Sequence, residues 1–381
     1  MAMPIYLDYN ATTPVDPRVL EAMRPAFEVH FGNPASRTHA YGWAAARLVD
    51  KAREALARHL GGTPDEFIFT SGATEANNLA IKGAVWARGG RRCHLVTCAT
   101  EHKAVLDPCR RLATETGAEL TVLPVDRLGH LDLQRLQDAL RPDTVLVSVM
   151  LANNETGTLH ELAEVAAVCR PRGVLLHTDA TQAVGKIPVN VAALGVDLLS
   201  LSAHKFYGPK GIGVLWRRRG VPLVPLLDGG GHEQGIRSGT LAVPLIVGLQ
   251  RALEISCADL ETERVRLAAL RDTLRRLTLE SLPGLEENGD PERRLPNTLN
   301  LTFHGVDGNA LLASLPGLAV SSGSACTSAD PSPSHVLLAM GRSKREAQAS
   351  LRFSLGRPTT LAEVEAAAEM VSAACARLRR G

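Results

Sequence analysis

The side chains able to do chemistry in this chain follow directly after short apolar runs. "FIFTSGATEANNLA" leaves such a run through Thr70, Ser71, Gly72, Ala73 and Thr74 into a helical pattern. Free backbone N–H groups, hydroxyls and the helix dipole at that point suit a phosphate. It is not a Walker loop, because GxxxxGK[ST] occurs nowhere in the chain. "VLLHTDATQ" delivers Asp179 and Gln182 from an otherwise apolar run, and "DLLSLSAHKFYGPKGIG" delivers Ser202, His204 and Lys205 before a glycine-rich turn. A phosphate cradle, a strand-end carboxylate and a strand-end lysine together are what pyridoxal 5'-phosphate requires: an anchor for its phosphate, a partner for its protonated pyridine nitrogen and a Schiff-base amine.

Further groups fit the same setting. "CATEHKAVL" adds His102, whose near-neutral free pKa suits proton transfer above a cofactor ring. "LANNETG" adds Asn153 and Asn154, amides able to bond a ring oxygen or a substrate carboxylate. "SSGSACTSADPSPS" sets one thiol, Cys326, among small residues and prolines that favour a loop. "GGGHEQGIRSGT" is rich in glycine but does not fit G-x-G-x-x-G and has no strand-helix context, so it is not read as a nucleotide loop.

Chemistry at the ends of apolar runs requires a sheet whose strands finish along one edge, where ligands bind in open α/β folds. Seven runs are strand candidates: "FIFTSG", "HLVTCATEH", "ELTVLPV", "TVLVSVML", "GVLLHTDA", "DLLSLSAHK" and "GVLWRR". Between them "ATEANNLAIKGAVWARG" and "LHELAEVAAVCRPRG" carry helical spacing and end in glycine near basic residues. The expected fold is α/β, a mostly parallel doubly wound sheet in a large domain, followed by a smaller α+β domain. After about Gln250 the pattern changes: "DLETERVRLAALRDTLRRLTLESL" predicts a long charged helix, and "NTLNLTF", "LRFSLG" and a last helix ending at Arg379 and Arg380 predict the smaller unit. The predicted division gives residues 14–255 to the large domain, and residues 1–13 with 256–381 to the small one, which carries the cysteine loop at about 321–334.

The 381 residues, 45% hydrophobic, exceed the usual size of a single core. With 42 Lys+Arg against 40 Asp+Glu the net charge is +2, so no overall field favours nucleic acid or an anionic membrane. The uncharged stretch at 308–329 is broken by Pro316 and is not a membrane helix, and "MAMPIYLDYNATTPVDP" lacks the form of a signal peptide, so a cytoplasmic address is expected. Seven cysteines without paired spacing describe neither a disulfide framework nor a zinc site. Cys93, Cys98, Cys109, Cys169, Cys257 and Cys375 are read as packing residues.

With these motifs assembled, the chain resembles the NifS/IscS cysteine desulfurases of the class V aminotransferase family. The likeness rests on "YLDYNATTPVDP", "FGNPASRTHAYG", "FTSGATEANNLAI", "TEHKAVLD", "NNETG", "HTDATQAVGKIPV", "SAHKFYGPKGIG", "GGGHEQGIRSGT", "SSGSACTS" and "LRFSLGR". The resemblance implies fold type I of the pyridoxal phosphate enzymes, a homodimer, and conversion of L-cysteine to L-alanine with sulfur left on the enzyme as a persulfide. It implies Lys205 as the Schiff-base lysine, Cys326 as the persulfide-forming cysteine and His102 as the ring-stacking acid/base. Ala73, Thr74, Ser202 and His204 match phosphate contacts, Asp179 the pyridine-nitrogen partner, and Gln182 with Asn154 the ring-oxygen side. Thr240 matches a residue reaching the neighbouring subunit's phosphate, and Asn33 and Arg352 match holders of the substrate carboxylate. No resident metal is expected, although the Cys326 persulfide can act as a ligand in iron-sulfur cluster assembly.

The serine-rich form of the cysteine loop resembles the NifS/IscS branch. The stop at Gly381, soon after the last predicted helix, is shorter than the tail with which housekeeping members dock a scaffold, so nitrogen-fixation-type and general iron-sulfur supply both stay open. Two rivals are carried. A selenocysteine, cysteate- or kynurenine-type lyase would share Lys205 and Asp179 without needing Cys326, and a non-enzymatic sulfur carrier would need Cys326 alone.

Overall fold

A computed structural model of the chain describes residues 3–90, 92–322 and 332–380. All seven apolar runs become strands of one sheet, in the spatial order Phe67–Thr70, Gly213–Arg217, Leu198–Ser202, Leu175–Asp179, Thr144–Ser148, His94–Cys98, Glu119–Leu123. The last five are mutually parallel, and only Gly213–Arg217 runs against its neighbours. The runs read as continuously apolar because both faces are covered. Ile68, Leu95, Leu146, Leu198 and Leu215 pack on one side with Ala76, Leu79 and Ala80 of the helix Ala73–Ala87. Phe67, Phe69, Val147, Leu199, Leu201 and Val214 pack on the other with the helices Ala40–Leu60 and Val243–Ala258. The mostly parallel, doubly wound sheet expected from the sequence is therefore present.

A second apolar cluster lies in the C-terminal part. There Ser350–Ser354, Thr298–Phe303 and Leu285–Glu287 form an antiparallel sheet. The charged segment forms the helix Leu260–Ser281, which buries Leu267, Leu270 and Leu274 against Val364, Ala367 and Val371 of the helix Leu361–Leu378. Thr360 and Glu363 close a capping box at the start of that last helix, each side chain bonding the other's backbone N–H.

The N-terminal segment joins the two clusters. Ile5–Tyr6 pairs in parallel with Leu318–Ala319, and Tyr9 N–H donates to Ser354 O at 3.1 Å, which places the segment on the C-terminal sheets. A few residues on, Thr13 N–H donates to His204 O and Asp16 N–H to Tyr207 O, both at 3.0 Å, which ties it to the turn after the Leu198–Ser202 strand. Tyr207 has φ +68°, a left-handed value costly for a non-glycine residue, and is held there by its N–H to Thr13 Oγ1 and by its ring, over which the Arg357 guanidinium lies 4.2 Å from the centroid.

Among the described residues no helix is long and apolar enough to cross a membrane, and no group of three His, Cys, Asp or Glu side chains is arranged to hold a metal.

Asp16 anchors this junction through Arg18 and, at 2.9 Å, Arg357. The hydrogen bond from Arg18, reinforced by both guanidinium charges and opposed by burial, lowers its carboxyl from 3.8 to about 2. A depressed folded-state carboxyl stabilises the fold above its unfolded value and loses that contribution as pH falls through the folded one. Asp16→Asn should therefore be less stable than the parent near neutral pH, and the gap between their urea midpoints should close between about pH 4 and about pH 2. A gap that stays constant down to pH 2 would refute this role.

Candidate active site

The strand ends converge as the sequence predicts. A cavity of about 540 Å³ is lined by Ala73, Thr74, His102, Asn154, Asp179, Gln182, Ser202, His204, Lys205 and Arg352. Ala73 and Thr74 open the helix Ala73–Ala87, whose N-cap, Gly72, offers no side chain to the first N–H groups. Those donors are left for a ligand. The approach is tight: Gly72 has φ +155°, and a Cβ on Gly213 would come within 2.6 Å of the Gly72 backbone.

Asp179 ends the Leu175–Asp179 strand with its carboxylate fixed from two sides. Asn77 Nδ2 donates to Oδ2 at 2.7 Å and Thr181 N–H to Oδ1 at 2.9 Å. Lys205 closes the single turn Ala203–Lys205, and its Nζ donates to Asn10 O at 2.7 Å and Ala11 O at 2.8 Å. His102 is the N-cap of Lys103–Thr116, its Nδ1 accepting from Ala104 N–H at 3.1 Å, so a neutral ring carries its proton on Nε2. Arg352, at the centre of the Ser350–Ser354 strand, is 2% exposed and is held by Asp8 Oδ1 at 2.7 Å and Asn154 O at 2.9 Å.

The site is rich in cations. Burial lowers His204 to about 4, and Lys205, Lys210 and Lys186 push the same way, so its ring is neutral at physiological pH and bonds Thr12 Oγ1 through Nδ1 at 3.1 Å. Burial raises the nearby acid Glu101, and the Asp179 charge adds to this; burial also raises Glu155. The balance suits an anionic ligand.

Pyridoxal phosphate fits these residues. An uncapped helix N-terminus would suit its phosphate, a fixed buried carboxylate would suit its pyridine nitrogen, and Asn154 Oδ1 is a buried polar atom with no protein partner.

Two predicted residues lie elsewhere: Asn33 and Thr240 are exposed and do not line this cavity. Cys326 lies outside the described residues, as does the central part of its loop. Sequence reading missed Asn10, Asn77 and Lys186. Asn10 sits inside the quoted "YLDYNATTPVDP", but nothing local marks it as a site residue, because its partners are far away in sequence. Lys186 follows Gln182 by four residues in a turn, where that spacing marks nothing.

The fold and this cavity define a class of enzyme with a lysine at the sheet edge. The aminotransferase class-V family model matches residues 5–367, and the chain belongs to that family. It is 52% identical over 381 residues to a cysteine desulfurase IscS of Anaeromyxobacter dehalogenans (strain 2CP-C), covering all of this chain and 94% of that protein. It is 48% identical over 378 residues to a cysteine desulfurase of Pongo abelii, covering 99% of this chain and 82% of the other. A solved NifS-like protein superposes with a TM-score of 0.92 at 39% identity, covering 99% of this chain and all of that one. The class V aminotransferases and cysteine desulfurases are pyridoxal phosphate enzymes.

In the cofactor-free protein the ring of His204 should titrate with a midpoint near 4 and show no change near neutral pH. Nuclear magnetic resonance of isotope-labelled histidine checks this, and a midpoint at or above 6.5 would mean that the ring is solvated and outside the field of the lysines.

Proposed function

We propose that this chain is a pyridoxal 5'-phosphate-dependent cysteine desulfurase that converts L-cysteine to L-alanine and takes the sulfur onto Cys326 as a persulfide. The observation carrying this reading is the convergence of Lys205, Asp179 and the uncapped helix N-terminus on one cavity, with the buried arginine Arg352 on its wall. The names of the relatives agree with it.

When bound, pyridoxal phosphate supplies an electron sink for the pair left at a substrate α-carbon. Ala73, Thr74, Ser202 and His204 would hold its phosphate, Gln182 and Asn154 would serve its ring oxygen, and His102 would act as the acid/base beside its ring. Asp179 keeps the pyridine nitrogen protonated. Arg352 binds the substrate carboxylate, with Asn33 from the loop before Ala40–Leu60 as a second holder. Lys205 anchors the cofactor, then takes the proton from the substrate α-carbon. The Cys326 thiolate attacks the substrate sulfur, the Cβ–S electron pair goes to the carbon side, and that carbon is protonated. One thiol and L-cysteine thus become one persulfide and L-alanine, with no external oxidant. Delivery of the persulfide sulfur to a scaffold or other acceptor protein of iron-sulfur assembly completes the cycle.

A homodimer is supported by exposed aromatics around Asn33. Phe27, Phe31, Tyr41 and Trp43 are each more than half exposed, and the Phe31 and Tyr41 rings lie 5.4 Å apart. A second copy would cover them and bring Thr240 to its neighbour's phosphate. A cytoplasmic setting is supported by the six described cysteines, all of which are free.

Incubation of the cofactor-loaded protein with L-cysteine and a dithiol reductant, which reduces the persulfide and frees its outer sulfur, should release sulfide and alanine together. Lys205→Ala should lose turnover and the visible absorption band, and turnover at the parental rate would show that another lysine carries the cofactor. Cys326→Ala should keep that band and bind cysteine, yet alanine release should fall by several powers of ten because a covalent step is removed. Mass spectrometry without reductant should find one added sulfur on the Cys326 peptide; added sulfur elsewhere, or normal alanine release from the variant, would move the function to a different thiol or to a lyase. Asp179→Ala should slow exchange of the substrate α-hydrogen with solvent far more than it weakens cofactor binding. Unchanged exchange would remove Asp179 from its role.

A further inference from the structure

Lys186 has no role in the mechanism above, yet it sits directly behind it. Its Nζ donates to Gln182 Oε1 at 2.6 Å and to Asn10 Oδ1 at 3.0 Å. An ammonium only donates, so the oxygen end of the Gln182 amide must face Lys186. The other end, Nε2, donates at 2.9 Å to the backbone carbonyl of Asn10, which only accepts. The amide is therefore oriented from both ends. That same carbonyl accepts from Lys205 Nζ at 2.7 Å, so Lys186, Gln182 and Lys205 are linked through one residue.

The charges around Lys186 make it costly to keep. Lys205 and His204 face it from the turn after Leu198–Ser202, and Arg352 from the Ser350–Ser354 strand. Two carboxylates of the site have other partners, Asp8 being held by Arg352 and Asp179 by Asn77. Among the described residues no carboxylate pairs with Lys186; amide oxygens alone receive it. Burial holds its pKa well below the ordinary lysine range, and the charges of Lys205 and Arg352 add to the effect. The two amide oxygens turned toward its Nζ are the contacts that oppose this and favour the ammonium form.

We propose that Lys186 is a positioning residue: it turns the N–H end of Gln182 toward the cofactor oxygen and, by its positive charge, lowers the proton affinity of the Lys205 nitrogen. The proposal rests on the reading of Lys205 and Gln182 as cofactor contacts. Its sign follows from Coulomb's law, since a cation beside Lys205 disfavours a second one and Lys205 gives up its proton at lower pH than it would alone.

The test is a pH titration of the visible absorption of the cofactor-loaded enzyme, whose band reports the protonation state of the Lys205 nitrogen. Lys186→Met should raise the midpoint by about one pH unit, roughly tenfold in the protonation ratio at fixed pH. Lys186→Arg, which keeps the charge, should stay within a few tenths of the parent. A Lys186→Met midpoint equal to the parent's would overturn the proposal, and so would a Lys186→Arg midpoint displaced as far as that of Lys186→Met, because geometry and not charge would then be at work. Should Lys186→Met fail to fold by circular dichroism, Lys186→Gln, neutral but still a donor, takes its place with the same expectation. Lys205→Ala separates the two levels: if it retains a titrating band, the cofactor reading fails and this proposal falls with it. If the band vanishes, the Lys186 variants decide alone.

Discussion

The site depends on the hydrogen-bonding capacity of one buried side chain, Asn10. Its Oδ1 accepts from Lys186 Nζ and Asn297 Nδ2, and its Nδ2 donates to Thr298 Oγ1 and Asn154 O. Two lone pairs and two N–H groups are all the amide has, and all four are used. Its backbone carbonyl meanwhile receives Lys205 and Gln182, and its N–H reaches Ser354 Oγ. Aspartate would lose two donors and add a charge, while leucine would strand partners on both sides. One residue thus registers the strand-end lysine against the antiparallel sheet that carries Arg352. The relative placement of Lys205 and Arg352 follows from it.

Charge arrangement follows from the same crowding. The cations Lys186, Lys205 and Arg352 gather where few carboxylates are available, and His204 is kept neutral beside them. Acids that might have compensated are pushed the other way, since burial raises Glu101 and Glu155 toward their neutral forms. Asp179 stands apart because Asn77 and the Thr181 N–H hold its two oxygens. A ligand bearing a phosphate, together with a substrate bearing a carboxylate, suits this gathering of cations.

Much of this was legible in the sequence because strand ends mark ligand sites. Each of the seven apolar runs became a strand, and the residues following them, from Thr74 to Lys205, line one cavity. What local pattern could not convey was contact between distant segments. Asn10 meets Gln182 and Lys205 through a chain reversal that no periodicity encodes, and Lys186 looks like any lysine in a surface turn until its partners are known. The antiparallel Gly213–Arg217 strand was hidden for a related reason: an apolar run reads the same in either direction. Asn33 and Thr240 came from resemblance alone, and both lie outside the cavity of their own chain.

Sulfur chemistry adds a demand of selectivity, since a chain that handles a reactive persulfide carries several other thiols. The nucleophile and the acceptor in thiol exchange is the thiolate. Burial raises Cys98 to about 11, Cys109 and Cys169 to about 12 and Cys257 to about 11, leaving each almost entirely protonated at neutral pH. Cys93 and Cys375 are buried as well, and their thiols are raised for the same reason. Packing thus serves two ends with one set of side chains. The packing that covers these sulfurs also disfavours their charge, so the six described thiols are poor nucleophiles for sulfur transfer.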